Sequence, residues 1–323
     1  MTATLVIINY NGRELLARSV PAALAARGDD CQEGRRSSGS AAQVIVADDG
    51  STDDSVEYLI YEHPEVKVLP FRHRGFVRTC NAAVEAAESD VVVLLNSDVV
   101  VFSDFLAPLL ADLQEPDVFA VGCRFLNPDG SLTDALGNRT SGEWRRGLLH
   151  IHHETDPAKL AEICPQLYAN GGAMGFWREK WQALGGFDDL YHPFYWEDVD
   201  IGYRAWGRGW RVLYEPASMV YHDQGGTIGK LFRPRHIELI SARNAVLFAW
   251  KNLLDPRLFR RLLAGQTRWA ADDVLIAGLP PRTRALWAAL GRLRAAARRR
   301  AQEQRARVIS DSAILTRARG EAW

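Results

Sequence analysis

The sequence predicts an α/β fold, a mostly parallel sheet flanked by helices, and three observations carry that expectation. Short apolar runs rich in β-branched residues alternate with segments of helical spacing three times within the first hundred residues. The second run ends directly in acidic residues that precede a helix start, the place where an open α/β sheet sets its ligand contacts. The stretch Val91 to Phe102, VVVLLNSDVVVF, is an apolar run interrupted by Asn96, Ser97 and Asp98. It reads as a buried strand that carries polar residues out at its end. A plain turn between two strands is the other reading, because Asn, Ser and Asp all form turns. A fully buried, unpaired Asp98 would cost several kcal/mol, so it should be hydrogen-bonded at that turn or meet a cation.

Taken in order, Leu5 to Ile8 is a short strand ending at Asn9-Tyr10-Asn11-Gly12, and Glu14 to Ala26 has the spacing of a helix. Gly28 to Ala42 is polar, rich in Gly and Ser and without periodicity, which predicts a surface loop. Gln43 to Ala47 is the next strand, running into Asp48-Asp49-Gly50-Ser51-Thr52-Asp53 before a helix from Asp54 to about Tyr61. Capping by Ser51, Thr52 or Asp53 accounts for part of this segment but not for two adjacent carboxylates before the glycine. Val66 to Leu69 is a third strand, followed by a helix from about Val77 to Ala87 that contains Arg78 and Asn81. After Asp98, Ser103 to Leu113 should be a helix capped by Ser103 or Asp104, Phe119 to Phe125 a strand and Asn127 to Gly130 a turn.

From Thr133 to Gln166 the pattern weakens, and His150, His152 and His153 lack the Cys or carboxylate spacing of a metal site. Asn170 opens NGGAMG, whose glycines allow close backbone approach, and a helix follows that ends at Gly185-Gly186. Tyr195-Trp196-Glu197-Asp198-Val199-Asp200 leads into another helix. Acidic residues there are favoured by the helix dipole alone, and Trp196 beside them is either core or a platform for a sugar ring. A strand from Trp210 to Tyr214 precedes Tyr221-His222. Arg235 to Asn252 is an amphipathic helix. Beyond Pro280-Pro281 arginines alternate with Leu286, Trp287, Leu290 and Leu293, a pattern that suits either an anionic membrane surface or a solvated helix packed on the domain.

The composition, 47% hydrophobic and 24% charged with a net charge of −1, is that of a globular protein and says nothing about partners. Four scattered cysteines without a CxxC pair suggest free thiols in a reducing cytoplasm. The N-terminus reads as a strand and not a signal peptide, and no run is long enough to cross a membrane. No aromatic-plus-basic module points to nucleic acid.

The motifs IINYNG, DDGSTD, the Gly75 and Asn81 pair, LLNSD, LNPDG, NGGAMG and WEDVDIGYRA followed by EPASMVYH together resemble the family-2 glycosyltransferases. The resemblance spans roughly residues 4 to 225. Each motif is weak alone, and their order and spacing are specific. LNPDG and WEDVD are most similar to the branch that includes bacterial rhamnosyltransferases. The resemblance implies a GT-A fold, with a mostly parallel Rossmann-like sheet and a helical C-terminal extension. It implies a catalytic domain over residues 1–230 (nucleotide-sugar half about 1–102, acceptor half about 103–230), a helical extension over 231–279 and an Arg-rich tail over 280–323.

It further implies an inverting transfer from a nucleotide-diphosphate sugar, such as dTDP-rhamnose or another hexose donor, to a hydroxyl of a glycan or lipid-linked acceptor. The setting would be polysaccharide or cell-wall assembly at the cytoplasmic side of the membrane. On this resemblance Asp98 and His222 would hold Mg²⁺ or Mn²⁺, and Asp198 would be the general base with Glu197 beside it. Asn9, Tyr10, Asp48, Asp49, Arg78, Asn81, Asn96 and Ser97 would line the donor site, and Gly171, Gly172 and Trp196 the acceptor site. Two positions depart from the commoner family pattern: Asn96 opens the metal triplet in place of Asp, and His73 stands where Asn is frequent before Arg74-Gly75. An inactive scaffold would be expected to lose Asp98, Asp198 or His222, and all three are present. The loop Asn9 to Gly12 is neither a nucleotidyltransferase loop nor the GxGxxG of a dinucleotide oxidoreductase.

Overall fold

The computed structural model describes residues 1–27, 41–133, 138–145, 148–222, 232–273 and 280–321. Positions 28–40 of the expected Gly28–Ala42 loop and the boundaries drawn at 230/231 and 279/280 involve residues outside these spans. The first half follows the expected alternation: β1 (Ala3–Asn9), α1 (Arg13–Ala26), β2 (Ala41–Asp48), α2 (Ser55–Glu62), β3 (Lys67–Pro70), α3 (Phe76–Ala86) and β4 (Val91–Asn96). All seven residues of β1 and the first five of β4 are buried, as near-continuous apolar runs require when a sheet is covered on both faces. Val6 and Ile8 face one core with Val77, Cys80 and Val84 of α3, whereas Leu5 and Ile7 face the other with Leu16 and Val20 of α1. The pleat thus sends alternate side chains into two cores.

The chain continues through β5 (Val99–Val101), α4 (Leu106–Asp112), β6 (Val118–Leu126), β7 (Thr140–Arg145), β8 (Leu148–His153), β9 (Cys164–Pro165) and β10 (Ala173–Trp177). Then come α5 (Arg178–Leu184), a 3-10 turn at Asp189–Tyr191, α6 (Glu197–Gly207) and β11 (Arg211–His222). The main sheet runs β3-β2-β1-β4-β10-β6-β11-β5, with β9 beside β11. Its first four strands are parallel, β10 is antiparallel to both β4 and β6, and β11 is parallel to β6. β5 does not extend β4. It pairs antiparallel with the far end of β11, Val220 to His222 against Val101 to Val99. Both readings of Val91 to Phe102 therefore hold in part: β4 delivers its polar residues at its end, and Ser97-Asp98 is the turn where the chain leaves one half of the sheet for the other.

Four details differ from the sequence reading, the first being that the strand expected from Trp210 to Tyr214 runs from Arg211 to His222 and carries Tyr221-His222 itself. α4 begins only at Leu106 and has no side-chain cap from Ser103 or Asp104. The weakly patterned region contains the hairpin β7–β8, with His150, His152 and His153 on β8. The tail is not one long helix. After α7 (Pro234–Asn252) and α8 (Pro256–Asp273) it folds as α9 (Pro281–Leu290), α10 (Leu293–Ala306) and α11 (Asp311–Ala318).

The tail is fastened to the rest of the chain by arginines on both sides. Arg292 Nη1 donates to Leu190 O at 2.6 Å, Arg300 Nη1 to Leu253 O at 2.6 Å, and Arg208 meets Glu303 at 2.8 Å. α7 lies against the first core through Leu247, Phe248 and Ala249, all fully buried. Among the described residues no helix is long and apolar enough to cross a membrane.

Candidate active site

The carboxyl ends of β1, β2 and β3 form one wall. Asp48 is buried, and its two oxygens accept from Asn9 Nδ2 (2.8 Å), Gly50 N (3.1 Å), Ser51 N (2.7 Å) and Ser51 Oγ (2.6 Å). Asp49 accepts from Arg74 N (2.8 Å), Gly75 N (3.0 Å) and Thr79 Oγ1 (2.7 Å), with His73 Nδ1 2.9 Å away. Two adjacent carboxylates are needed because each organises a different loop: Asp48 ties β2 to Asn9 and its own turn, and Asp49 anchors the entry to α3. The lone pairs expected on a base or ribose are thus engaged by the protein's own donors. The outward groups here are Tyr10 and His73, whose rings lie 4.6 Å apart. The pairing of His73 with Tyr10 and Asp49 was not visible in the sequence.

Asn81, expected on the donor, instead clasps the backbone of Phe187, donating to its carbonyl and accepting from its N–H, both at 2.9 Å. A Cβ at Gly186 would fall 2.5 Å from Asn81 Oδ1, so the glycine lets this clasp close. Arg78 forms a two-point ion pair with Asp189 at 2.7 and 2.8 Å on a half-exposed surface. Both side chains link α3 to the loop that leads to α6.

The other wall is built from the end of β4, the Asn170-Gly171-Gly172 segment and the start of α6. Asn96 N donates to Gly172 O at 2.9 Å, and Gly171 N donates to Asp198 Oδ2 at 3.1 Å. Adjacent glycines thus join the Asn96–Asp98 turn to Asp198. A Cβ on Gly172 would lie 3.0 Å from Asn170 Oδ1 and 3.3 Å from Asn96 Nδ2, so a larger residue would make these side chains give way by a few tenths of an ångström. His222, at the end of β11, brings Nε2 to 3.6 Å from Asp98 Oδ1, and its ring meets Phe125 edge-on. β5 pairing with β11 is what brings these two residues together across a long sequence separation.

Asp98 Oδ1, Asn96 Oδ1 and His222 Nδ1 are buried without a hydrogen-bond partner. Buried polar atoms are ordinarily paired, so oxygen orphans beside an imidazole fit a hard divalent cation. Cis ligands of such an ion lie about 3 Å apart, close to the present separation. Among the described residues no third His, Cys, Asp or Glu joins them. Such an ion would rely on Asn96 or on ligand oxygens for the rest of its shell, as Mg²⁺ commonly does with phosphates.

Asp198 and Glu197 open α6. Burial raises the Asp198 carboxyl above its ordinary range, opposed by the N–H groups of Gly171 and Val199. Burial, reinforced by the charge of Asp198, pushes Glu197 well above its usual value, and Glu197 Oε2 has no partner. The approach to these residues is strained, since Tyr195 and Trp196 have φ of 69° and 78°. Such conformations cost on the order of 1–3 kcal/mol each and persist only where the surroundings impose them. Asn244 of α7 imposes them here, with its amide nitrogen within 3.0 Å of the carbonyls of Tyr191, Phe194 and Tyr195. The Trp196 ring packs 5.2 Å from Phe248, which favours its core reading, and Tyr195 is the exposed aromatic beside the carboxylates.

Beneath this lies a buried charge network that sequence reasoning missed. Asp200 accepts from Arg204 Nε (2.6 Å), Lys251 Nζ (2.8 Å), Tyr191 OH (2.7 Å) and Asn252 Nδ2 (2.7 Å). Lys251 also reaches Asp188 Oδ2 at 2.8 Å. Burial opposes ionisation of Asp200, but Arg204 and Lys251 outweigh it and hold the carboxyl well below its usual range. α7 is not the amphipathic helix expected, since Val246 to Asn252 are buried all round, and the sequence trace of the network is the polar Asn244, Lys251 and Asn252 within it.

Comparison with known proteins bears on the family and the fold. The model of "Glycosyl transferase family 2" matches residues 4–174, which includes the donor wall and stops before Asp198 and His222. A relative from Mycobacterium tuberculosis, N-acetylglucosaminyl-diphospho-decaprenol L-rhamnosyltransferase, is 26% identical over 58% of this chain and 68% of its own length. The likeness to the rhamnosyltransferase branch rests on it. GalNAc-T7, solved with UDP, GalNAc and Mn²⁺, superposes with a TM-score of 0.58 at 19% identity, covering 87% of this chain and 58% of that one. S. aureus TarS 1-349 in complex with UDP-GlcNAc gives 0.55 at 15% identity over 94% and 90% of the two chains. These structures share the GT-A fold with the chain, and the chain belongs to glycosyl transferase family 2.

Proposed function

We propose that this chain is an inverting glycosyltransferase that moves a sugar, rhamnose from dTDP-rhamnose or another hexose, from a nucleotide diphosphate to an acceptor hydroxyl. The observation that carries the proposal is the coupling of Asp198 to the Asn96–Asp98 turn through Gly171 and Gly172. One short backbone segment holds a half-buried carboxylate near a cluster of unpaired oxygen ligands. Tyr10 and His73 wall the nucleoside, Asp48 and Asp49 fix the shape of that wall, and Asn96 and Ser97 lie at the diphosphate end. Asp98 and His222 would hold Mg²⁺ or Mn²⁺, which neutralises charge on a diphosphate leaving group.

The acceptor lies over Gly171 and Gly172, with the exposed Tyr195 rather than the core-packed Trp196 beside it. Its hydroxyl oxygen attacks the anomeric carbon as the bond to the diphosphate oxygen breaks, and the bonding electrons leave with the nucleoside diphosphate. Asp198 Oδ2 receives the hydroxyl proton, and its raised affinity for protons suits that task. Glu197 keeps the acceptor and Asp198 in place. One displacement inverts the configuration at that carbon.

Residues 1–230 form the catalytic unit in this reading, 231–279 and 280–323 brace it, and the tail meets an anionic membrane at the cytoplasmic side. The M. tuberculosis relative, named for transfer to a decaprenol-linked diphospho-sugar, supports a lipid-linked or other glycan acceptor in cell-wall or polysaccharide assembly.

The test is thermal stabilisation by dTDP-, UDP- and GDP-sugars, each with and without Mn²⁺, on the wild type and on Asp98→Ala. A ligand at a hundred times its dissociation constant adds about 2.7 kcal/mol. A metal-dependent shift with one nucleotide class that disappears in Asp98→Ala is expected. No shift with any nucleotide would leave a fold without transferase function.

A further inference from the structure

The C-terminal helices carry a second surface. A groove of about 360 Å³ runs between α8 and the α9–α10 pair, lined by Phe259, Leu263, Leu286, Leu290, Leu293 and Ala297. Of its lining, Leu263 (42% exposed), Leu290 (42%) and Leu293 (47%) are open to solvent, and Trp287 (60%) stands beside Leu286 on α9; these are four of the ten large apolar side chains exposed among the described residues. Apolar groups scattered singly need no explanation, whereas a cluster around a groove marks an interaction surface. The charge around it is predominantly positive. Across residues 256–273 and 281–306 stand twelve arginines against three acidic residues, Asp272 and Asp273 at the end of α8 and the buried Glu303, which is paired with Arg208. Arg257, Arg260, Arg261, Arg284, Arg294 and Arg298 are exposed, and Arg284 sits one helical turn from Trp287.

We propose that this face docks on an anionic lipid bilayer, with Trp287, Leu290 and Leu293 entering the headgroup boundary and the surrounding arginines meeting lipid phosphates. Charge selects the occupant: a second copy of the chain would set arginine against arginine. A single-stranded nucleic acid would need stacking aromatics along a groove, and a duplex would engage the arginines while leaving the apolar centre without a partner. An indole beside arginines on a helix that lies flat is the usual form of interfacial attachment.

The placement also serves the site. α10 presents Leu293 and Ala297 to the groove, while Arg299 of the same helix and Arg292 just before it line a cleft with Asp188, Asp189 and His192. The bilayer would therefore lie one helix away from the loop that feeds Asp198. This inference rests on the transferase reading only for its purpose, not for its surface.

Co-sedimentation of the full chain with vesicles tests it, using equimolar phosphatidylglycerol and phosphatidylcholine against phosphatidylcholine alone. Partition onto the anionic vesicles alone, weakened by salt, is expected. Changing Arg284, Arg294 and Arg298 together to Ser should lower it about a hundredfold, at roughly one kcal/mol per arginine near such a surface. Trp287→Ser with Leu290→Ser and Leu293→Ser should also release the protein, and because these side chains are exposed the thermal transition should persist. Equal partition onto both vesicle types, none onto either, or full binding by either triple variant overturns the proposal. So does a salt-resistant dimer closed over Trp287, or a preference for duplex DNA over the anionic vesicles. Nucleotide-sugar stabilisation in both triple variants separates the two claims. If vesicles bind and no nucleotide stabilises, the transferase reading fails alone; if nucleotides stabilise and vesicles do not bind, the docking surface fails alone.

Discussion

Lys251→Met removes the cation that joins α7 to the loop in front of α6. Lys251 is 1% exposed, and its ammonium sits 2.8 Å from both Asp188 and Asp200. Removing one partner from a buried pair typically costs 3–5 kcal/mol, because the remaining charge is left without compensation. The lower end applies, since Arg204 stays 2.6 Å from Asp200 and the half-exposed Arg299 stays 3.2 Å from Asp188. We therefore expect about 3 kcal/mol of lost stability near neutral pH, measured as a lower urea midpoint.

The loss has a signed pH dependence. Both carboxyls are held below their usual range in the folded state, Asp188 by Lys251 against the effect of burial and Asp200 by Arg204 and Lys251 against the same effect. A depressed carboxyl contributes stability that is present above its unfolded pKa, about 3.9, and is lost as pH falls through its folded value. Wild type and variant should differ most near neutrality and converge in acid. A loss below about 1 kcal/mol, or one unchanged between neutral and acidic solution, would refute the reasoning.

Glu197→Gln should act in the opposite direction. A carboxyl raised by burial contributes stability below its unfolded pKa that is lost as pH rises through its folded value, so the variant should gain on the wild type as pH increases. Melting curves across that range measure it, and a parallel pair of curves would count against a buried protonated Glu197. Asn81→Ala unpairs both backbone groups of Phe187 and should cost about 1–3 kcal/mol in denaturant while nucleotide-dependent stabilisation survives. Loss of that stabilisation with little loss of stability would return Asn81 to the donor site.

The strands and helices of the first half were legible because β1, β2 and β4 are apolar runs that end in polar residues, and local pattern alone sets such boundaries. The bounds of α7 were legible to within one residue, although its last two turns are buried all round and not on one face. β7 and β8 were not: β7 alternates buried Thr140 and Gly142 with polar neighbours, and neither residue signals a buried face. The site was legible as a set of residue types at motif spacing, but the partners of those residues were not. Asp48, Asp49, Asn81 and Arg78 look like ligand-binding groups in sequence, and their hydrogen bonds go to loops that only the fold brings near. The network of Asp188, Asp200, Arg204 and Lys251 joins residues up to 63 positions apart, beyond the reach of any local pattern. The tail arginines divide into those bonded to carbonyls, such as Arg292 and Arg300, and those facing outward, a division that helical spacing alone could not make.

The most direct test of the transferase account is the anomeric configuration of the product, read by proton NMR during turnover of the nucleotide sugar identified by thermal stabilisation. Wild type should form a glycoside of inverted configuration in step with nucleotide release, and Asp198→Asn should slow both about 10²- to 10⁴-fold while still binding the donor. Retained configuration, or undiminished transfer by Asp198→Asn, would contradict the account.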